Sequence, residues 1–415
     1  MTTQDFDALD PARLRRLFDL RSNVYATRGG SFEDDPYPAF HRLRETGPVH
    51  EGIVGPLVGY HGDAFFQGLP FPDLPHFSAF DYATCDTVFR DTETFLSRPP
   101  DSGGINASIL YMDGAEHRRY RALVQPSFVP KQARWWIEHW IERAVLALID
   151  RFEPNGRADL NVEFFSAIPL LTITGSFGIS VEDALDIRAA VTSDGVGLGE
   201  FLRIVDPIVA ARRAEPRDDL ISVLVAAEVA DEDGAVHRLT DDEILGFAFL
   251  LLAAGSGTTW KQMGITMLGL LGKPEWLDAL RADADVLRPV VEESLRWTPT
   301  DPMFSRFVAC DTELAGVAMP AGAVMHVCLA AANRDPVRWE QPDEFDPSRP
   351  LQPHLGFGGG AHICLGMHVA RAEISTAIAA LVTRLPNLRL DTDAPPPRII
   401  GMYERGPTAV PVRFG

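Results

Sequence analysis

The segment with the most specific chemistry is a glycine-rich turn that ends in one cysteine, Phe357-Gly-Gly-Gly-Ala-His-Ile-Cys364-Leu-Gly366, followed by the pattern of an amphipathic helix. Glycines let a backbone pass close to a flat ligand and leave amide groups free to point at the sulfur. A thiolate at a helix N-terminus is stabilised by the helix dipole and by unpaired N–H groups, which favours metal binding. The segment is therefore suited to present Cys364 to a metal ion.

Two alternatives remain open for this cysteine. A single cysteine after a glycine-rich turn is more often structural than functional. A zinc site with His362 and Cys364 as two ligands is the competing metal interpretation, but the chain offers no convincing second pair at standard spacing. The other cysteines, Cys85, Cys310 and Cys328, form no CxxC pair, so the usage is typical of a reducing compartment.

The complete pattern FxxGxHxCxG resembles the haem-binding signature of the cytochrome P450 family. The resemblance implies haem b (iron protoporphyrin IX) with Cys364 as the axial thiolate, Phe357 packed beside the sulfur and His362 near a haem propionate. Thiolate ligation pushes electron density onto the iron and favours O–O cleavage. The signature itself is matched at Phe357, Gly360, His362, Cys364 and Gly366, and the predicted cofactor-binding residues of this segment are Phe357, Gly358, His362, Cys364 and Gly366.

Upstream of the cysteine, Glu293-Ser-Leu-Arg296 places an acid and a base on one helical face. An ExxR pair is by itself commonly a surface ion pair. Its position before Cys364 resembles the family pattern, which implies that Glu293, Arg296 and Arg349 form a buried ion network beneath the haem. Such a network specifies a fold more than it stabilises one.

A basic segment further upstream carries His117 and Arg121, which are four residues apart, so both can reach one anionic group from a helix. The resemblance implies that they face the haem propionates and that Arg306 is another propionate-binding arginine. The neighbouring Arg118 and Arg119 are typical of a solvent-facing helix surface.

A capping box at Thr240-Asp-Asp-Glu243 and a following apolar run predict a buried central helix. Residues 255–259, Gly-Ser-Gly-Thr-Thr, weaken helical hydrogen bonding and should interrupt it. This segment resembles the family pattern Ala/Gly-Gly-x-acid-Thr, which implies that the helix crosses the oxygen-binding face of the haem. Ala254 and Gly255 are then predicted to contact haem, and Thr258 to hydrogen-bond dioxygen and water.

The chain departs from that pattern at Gly257, where the family usually has Asp or Glu, and no acid follows on the helix between Glu243 and Trp260. The usual acid relays protons as a general acid. We expect water beside Gly257, with Ser256 or Thr259 as relays. The predicted catalytic residues are therefore Thr258, Gly257 and Ser256.

The resemblance also implies a substrate pocket above the haem, built from residues 98–111, parts of 164–203, and residues 247–254, 300–305 and 401–404. Most of its side chains are apolar and suit a hydrophobic organic substrate, although each could equally belong to the core. Glu404 and Arg405 interrupt the last segment; they could contact a polar group of the substrate, but the simpler interpretation is that they pair with each other. The predicted lining residues are Phe247, Leu250, Leu251, Ala253, Met303, Phe304, Met402 and Tyr403.

Helical periodicity predicts core helices over residues 134–152 and 374–385. Strand signals are fewer, at residues 323–330 and 409–414, and residues 55–80 predict an irregular aromatic loop. The fold class is therefore mainly α with small β-sheets. Under the resemblance this is one large domain over residues 1–415 that encloses a haem, with β-rich portions at roughly 48–95, 300–330 and 388–415.

The 415 residues carry a net charge of −20, which argues against nucleic-acid binding. The N-terminus lacks the apolar region of a signal peptide, and the apolar run at residues 246–254 is shorter than the roughly 20 residues of a membrane span. These features predict a cytoplasmic protein without a membrane anchor.

The resemblance implies a monooxygenase that activates O2 and oxidises a small hydrophobic molecule with electrons from a separate ferredoxin or flavodoxin and its reductase. Arg118, Arg119 and Arg134 could contact such a partner. Gly257 supports one alternative, a peroxide-driven peroxygenase or other haem-thiolate chemistry. A non-catalytic haem-binding protein is the second alternative.

Overall fold

Helices make up most of the computed structural model, which describes residues 6, 9–22, 24–63, 71–99, 108–193, 197–230 and 234–415. Short π-helical turns at Ile137–Ile141 and Asn161–Phe165 extend two of the helices. The α-helices are α1 (Pro11–Leu17), α2 (Val24–Thr27), α3 (Tyr37–Thr46), α4 (Val54–Leu57), α5 (Tyr82–Arg90), α6 (Gly114–Val124), α7 (Pro130–Trp136), α8 (Glu142–Phe152), α9 (Ala167–Ser176), α10 (Val181–Val191), α11 (Leu198–Ala214), α12 (Leu220–Ala226), α13 (Asp241–Gly257), α14 (Thr259–Gly272), α15 (Pro274–Ala282), α16 (Leu287–Trp297), α17 (Leu329–Ala332) and α18 (Met367–Arg384).

The strands are short and form small sheets. They are β1 (Val49–Glu51), β2 (His76–Ala79), β3 (Phe95–Leu96), β4 (Arg157–Asp159), β5 (Glu228–Ala230), β6 (Val236–Arg238), β7 (Phe304–Val308), β8 (Thr312–Leu314), β9 (Val317–Met319), β10 (Val324–Val327), β11 (Arg389–Leu390), β12 (Ile399–Ile400), β13 (Gly406–Pro407) and β14 (Pro411–Arg413). One sheet has five strands in the order β1-β2-β10-β7-β3, in which β10 runs parallel to β2. The predicted fold class, mainly α with small β-sheets, is confirmed.

Two local predictions were wrong in part. Residues 55–80 are not one irregular loop, because α4 begins just before them and β2 lies at their end, while residues 64–70, with Phe65 and Phe66, lie outside the described residues. The strand predicted at 323–330 ends at Val327, and α17 begins at Leu329. Both errors concern strands that pair with each other, since β2 lies in the first segment and β10 in the second. The two strands are about 250 residues apart in sequence, and pairing over such a distance leaves no local sequence pattern.

The central helix begins at the predicted capping box. The backbone N–H of Thr240 donates to Glu243 Oε2 at 2.8 Å, and Thr240 Oγ1 accepts from the Glu243 N–H at 3.3 Å. The helix is interrupted at Thr258, the residue between α13 and α14, as the run of Gly, Ser and Thr predicts. The break places Thr258 at the junction of two helices that have different neighbours.

The same two helices, Asp241–Gly272, are together long and apolar enough to meet the length and composition criteria for a membrane span. Core helices meet these criteria as well. Here α13 packs against α9, α10 and α11, and α14 packs against α16 and α18, as core helices do. The length and apolar composition of residues 241–272 are therefore weak evidence for a membrane span.

A buried ion network joins α16 to the segment that leads to Cys364. Glu293 accepts two hydrogen bonds from Arg296, each of 2.7 Å, and a third of 3.3 Å from Arg349 Nε. Arg296 also donates to the carbonyl oxygens of Pro342 at 2.7 Å and Glu344 at 2.9 Å. The three predicted network residues are therefore brought together. They attach to α16 the loop that precedes the glycine-rich turn at residues 357–366, which we call the cysteine turn.

We expect Glu293→Gln to lower the free energy of unfolding by about 3–5 kcal/mol, because it leaves the buried guanidinium of Arg296 without a carboxylate. Urea unfolding followed by circular dichroism measures the change. The matched control is Asp278→Asn, which removes the carboxylate of an exposed pair 2.8 Å from Arg281 and should cost less than about 1 kcal/mol. Equal effects of the two variants would contradict the structural role of the network.

Candidate active site

The cysteine turn presses its backbone against the end of α5. Gly358 and Gly360 have φ angles of 70° and 63°, in the region that favours glycine. A Cβ on Gly360 would lie 1.9 Å from the carbonyl oxygen of Phe89. The Cys364 N–H donates to the carbonyl oxygen of Phe357 at 3.0 Å, which closes the turn. Glycine is therefore a steric requirement at position 360.

The sulfur of Cys364 lies just before the first turn of α18. Burial raises the pKa of the thiol to about 11, and a hydrogen bond from the Gly366 N–H opposes that shift. Burial thus outweighs the stabilisation expected at a helix N-terminus. Binding of a metal cation would displace the thiol proton. Phe357, predicted beside the sulfur, packs its ring 4.7 Å from the guanidinium carbon of Arg371.

Basic side chains from two separate elements, α6 and β7, lie beside His362 of the turn. His117 of α6 stacks on His362 with ring centroids 3.9 Å apart, and Arg121, one helical turn later, donates to the carbonyl oxygen of Ile363 at 2.7 Å. Arg306 of β7 acts on the same histidine, since its charge lowers the pKa of His362. The structure therefore brings together the four basic residues that the sequence predicts to bind propionates.

These basic groups lack matching acids within the described part of the chain. His117 Nε2 is buried without a hydrogen-bond partner, and Arg306, 7% exposed, forms no ion pair there. Burial lowers the pKa of Arg306 to about 10 and that of His362 to about 3. Asp113 Oδ1 lies 3.9 Å from His362 Nε2, but the Asp113 carboxylate already accepts hydrogen bonds from the backbone N–H groups of Ser97 and Arg98. Buried donors without acids suit an anionic ligand beside Cys364, so these residues fit a haem with its two carboxylates.

No group of three or more His, Cys, Asp or Glu side chains that could hold a metal ion occurs in the ranges that the structure describes. His362 is instead occupied by stacking on His117. The zinc interpretation of His362 and Cys364 therefore gains no support from the structure.

The predicted oxygen-side residues lie at the break of the central helix. Ala254 is exposed, and Gly257 and Thr258 are half-buried. Ser256 is fully buried and donates to the carbonyl oxygen of Leu252 at 2.7 Å. Thr259 faces α18, where its side chain hydrogen-bonds Glu373. The two hydroxyls predicted as relays thus already have protein partners.

Sequence reasoning missed a buried arginine beside this break. Arg188 of α10 is 1% exposed, donates from Nη1 to Ser256 Oγ at 3.2 Å and donates from Nη2 to the Tyr25 hydroxyl. A Cβ on Gly257 would meet only Arg188 Nη1, at 3.8 Å. Among described residues no carboxylate pairs with Arg188, and its Nε has no partner. Arg188 is one of four charged residues in α10, so the sequence gives no specific signal for this contact.

The prediction that Glu404 and Arg405 pair with each other was wrong. Glu404 forms ion pairs with Arg28 and Lys261, both distant in sequence. Arg405 instead donates to the carbonyl oxygens of Gly401 and Ile399. Gly401, with φ of 101°, begins the tight turn in which the side chains of Glu404 and Arg405 point in different directions.

The predicted pocket residues fall into groups of different exposure. Met303, Met402 and Tyr403 are at most 1% exposed, in one apolar cluster with Phe40 and Phe80, as core residues would be. Phe247 is fully buried against Tyr120, and Leu251 is buried as well, whereas Leu250, Ala253 and Phe304 are partly exposed. Residues 100–107 and 194–196 of the predicted segments lie outside the described residues. Pocket lining therefore remains a prediction.

Comparisons with known proteins agree with this arrangement. A family model described as Cytochrome P450 matches residues 203–402. The chain is 33% identical over 410 residues to the cytochrome P450 monooxygenase PikC of Streptomyces venezuelae, covering 93% of this chain and 92% of the relative.

Two solved structures are similar along nearly the whole chain. CYP109E1 from Bacillus megaterium, in complex with testosterone, is 26% identical with a TM-score of 0.79, covering 92% of this chain and 100% of that one. P450BioI, in complex with an acyl carrier protein ligated with hexadec-9Z-enoic acid, is 27% identical with a TM-score of 0.78, covering 92% and 99%.

We expect Gly257→Asp to raise the free energy of unfolding by about 1.5–3 kcal/mol, because the new carboxylate reaches the buried guanidinium of Arg188. An aspartate paired with arginine has a lowered pKa. The gain should therefore be present above about pH 4 and be lost as the pH falls further. Thermal unfolding between pH 3 and pH 8 measures it.

The matched control is Gly257→Asn, which adds the same volume without charge. The gain should also vanish in an Arg188→Met background. An equal gain for Asp and Asn, or one that survives loss of Arg188, would show that the two side chains do not pair.

Proposed function

This chain belongs to the cytochrome P450 family of monooxygenases, and we propose that it binds haem b through Cys364 and inserts one oxygen atom of O2 into a C–H bond of a hydrophobic organic substrate. The observation that carries the proposal is the set of buried basic groups without matching acids around the cysteine turn. A site of that kind suits a ligand that is anionic at its edge and takes a thiolate at its centre.

The haem, when bound, supplies the oxygen-activating chemistry. The residues around it would hold and orient it. His117, Arg121, Arg306 and His362 would donate to its two carboxylates, and Cys364 would ligate the iron. Gly358, where a Cβ would meet no atom within 4 Å, would let the backbone approach the ring, and Phe357 would cover the sulfur.

Thr258 would act on the opposite side of the ring, at the break between α13 and α14. A helix residue outside regular hydrogen bonding can direct its hydroxyl to a ligand. Leu250 and Ala253, partly exposed on α13, would contact the substrate from that side. The two similar structures contain testosterone and a fatty acyl chain, both largely apolar, which supports a hydrophobic substrate here.

Electrons would come from a separate ferredoxin or flavodoxin with its reductase. Arg118, on the helix that carries His117, and Arg134 are exposed and could contact an acidic partner despite the net charge of −20. Arg134 already pairs with Glu138 at 3.0 Å, so Arg118 is the better candidate. We further propose that the enzyme acts as one domain in the cytoplasm.

Gly257 favours a second candidate function, a peroxygenase that uses peroxide and so needs no relayed protons. Turnover with hydrogen peroxide and turnover with a ferredoxin system separate the two. The monooxygenase proposal expects product with the ferredoxin system and O2. Product with peroxide alone would favour the second candidate.

We expect the reduced, carbon-monoxide-bound protein to show a thiolate-type Soret band, because Cys364 ligates the iron. Cys364→Ser should abolish that band. Cys310→Ser is the matched control, since Cys310 is an exposed free cysteine away from the turn and its loss should leave the band unchanged. An imidazole-type band in the wild type, or an unchanged band in Cys364→Ser, would refute the assignment.

A further inference from the structure

A gap lies between Arg188 and Gly257 beside the break in the central helix. Arg188 is on α10 and is 1% exposed, and Gly257 is the last residue of α13. Outside its own helix, a methyl carbon on Gly257 would have one neighbour within 4 Å, which is Arg188 Nη1 at 3.8 Å. The position of the missing side chain is therefore open space that borders a buried cation.

Arg188 has more hydrogen-bond donors than the protein uses. A guanidinium carries five N–H groups. In the described part of the chain, Nη1 donates to Ser256 Oγ at 3.2 Å and Nη2 donates to the Tyr25 hydroxyl. The third nitrogen, Nε, is buried without a partner. Unpaired donors on a buried cation are costly, so an acceptor in the gap would stabilise this arrangement.

The groups that contact Arg188 are neutral. Tyr25 and Ser256 accept through hydroxyls, and both hydroxyls already donate to backbone carbonyl oxygens, that of Tyr25 to Gly257 at 3.3 Å. The ring of Phe18 lies 4.7 Å from the guanidinium carbon. These contacts position the guanidinium beside the gap but supply no negative charge to it.

A second buried cation lies on the other side of Tyr25. The side chain of Lys261 is fully buried, and its Nζ is 4.7 Å from the centroid of the Tyr25 ring. Lys261 donates to Glu404, which also accepts from Arg28. The carboxylate of Glu404 therefore serves two other cations, and no described acid contacts Arg188.

Solvent reaches the gap from the side of Gly257. Gly257 is only half-buried, whereas Arg188 is almost inaccessible. Leu250, Ala253 and Gly257 follow one another at spacings of three and four residues, which places them on one face of α13, and each is partly exposed. An apolar stripe thus leads to the gap along one unbroken helix.

We propose that the gap beside Gly257 is a binding site for a carboxylate, which pairs with Arg188 in place of the acidic side chain that this chain lacks. Acetate has the size and charge of an aspartate side chain, so the ligand class follows from the missing residue. A guanidinium pairs with a carboxylate through charge-assisted hydrogen bonds.

Two sources share this chemistry. One is a free short-chain carboxylate, which occupies the gap alone. The other is a hydrophobic acid that binds with its carboxylate at Arg188 and its apolar chain along Leu250 and Ala253. The second source rests on the proposed function, because it makes that acid the substrate, whereas the first does not depend on it.

The first test is acetate binding to the reduced, carbon-monoxide-bound holoprotein at pH 7, where acetate is ionised. In this form haem fills the site of His117 and Arg306, and carbon monoxide occupies the iron. Saturation-transfer NMR on the acetate methyl group measures binding, with sodium chloride holding the ionic strength constant. We expect saturable binding that weakens at least about tenfold in Gly257→Asp, whose own carboxylate occupies the gap, and in Arg188→Met.

Arg238→Met is the matched control, because Arg238 is an exposed arginine on β6 that lies 3.7 Å from Glu228. Its acetate binding should equal that of the wild type. Thermal unfolding confirms that each variant is folded, and Gly257→Asp tests the site even if Arg188→Met does not fold. Absence of saturable binding in the wild type, or equal binding by wild type and Gly257→Asp, would overturn the proposal.

The second test separates the two sources with decanoate and 1-decanol, which share a chain length and differ in the head group. If the carboxylate belongs to the substrate, decanoate should displace acetate and convert the ferric haem to high spin. It should bind at least about tenfold more tightly than 1-decanol, and Arg188→Met should remove this preference. Acetate binding that decanoate does not displace would assign the gap to a free carboxylate.

The failure of this proposal differs from the failure of the proposed function. A missing thiolate-type Soret band would refute the proposed function. Absence of acetate binding in protein that shows that band would refute only the carboxylate site.

Discussion

The constraint on which the site depends is buried positive charge that no carboxylate of the described structure neutralises. It occurs in two places, around Cys364 and beside Gly257. Around Cys364, His117 and Arg306 are buried and lack matching acids in the described structure. Beside Gly257, Arg188 is equally buried and is satisfied only by hydroxyls and aromatic rings. Removing a charge from water is expensive unless something compensates it. Beside Cys364 the carboxylates of the proposed haem would provide that compensation, and beside Gly257 it comes from Tyr25, Ser256 and Phe18.

The buried carboxylate of Glu293, in contrast, is compensated by side chains of the protein itself, and it serves a different purpose. Glu293 accepts from Arg296, from Arg349 and from the N–H of Asp346 at 2.8 Å, so each of its oxygens is used. This network joins α16 to the loop that precedes the cysteine turn. The network thus holds the segment that leads to Cys364 without any ligand, whereas the basic side chains around the sulfur would be paired by the carboxylates of the proposed haem.

The sequence predicted those parts of the fold and site whose signals are local. The capping box at Thr240, the break at Thr258 and the one-turn spacing of His117 and Arg121 are set by neighbours in the chain, and each occurs as predicted. The pairing of β2 with β10 and the partners of Glu404 depend on residues more than 140 positions away. No spacing rule encodes such contacts, so sequence reasoning paired Glu404 with its neighbour instead.

The glycine at position 257 and the properties of Lys261 follow from one arrangement of charge. An acid at 257 would neutralise Arg188, the nearest side chain to that position. Without it, the charge of Arg188 acts on Lys261 and lowers its pKa, in the same direction as burial. Loss of the acid therefore weakens the hold of the lysine on its proton. The Lys261 ammonium donates to Glu404 Oε2, and this contact favours the charged form and so opposes the loss of its proton.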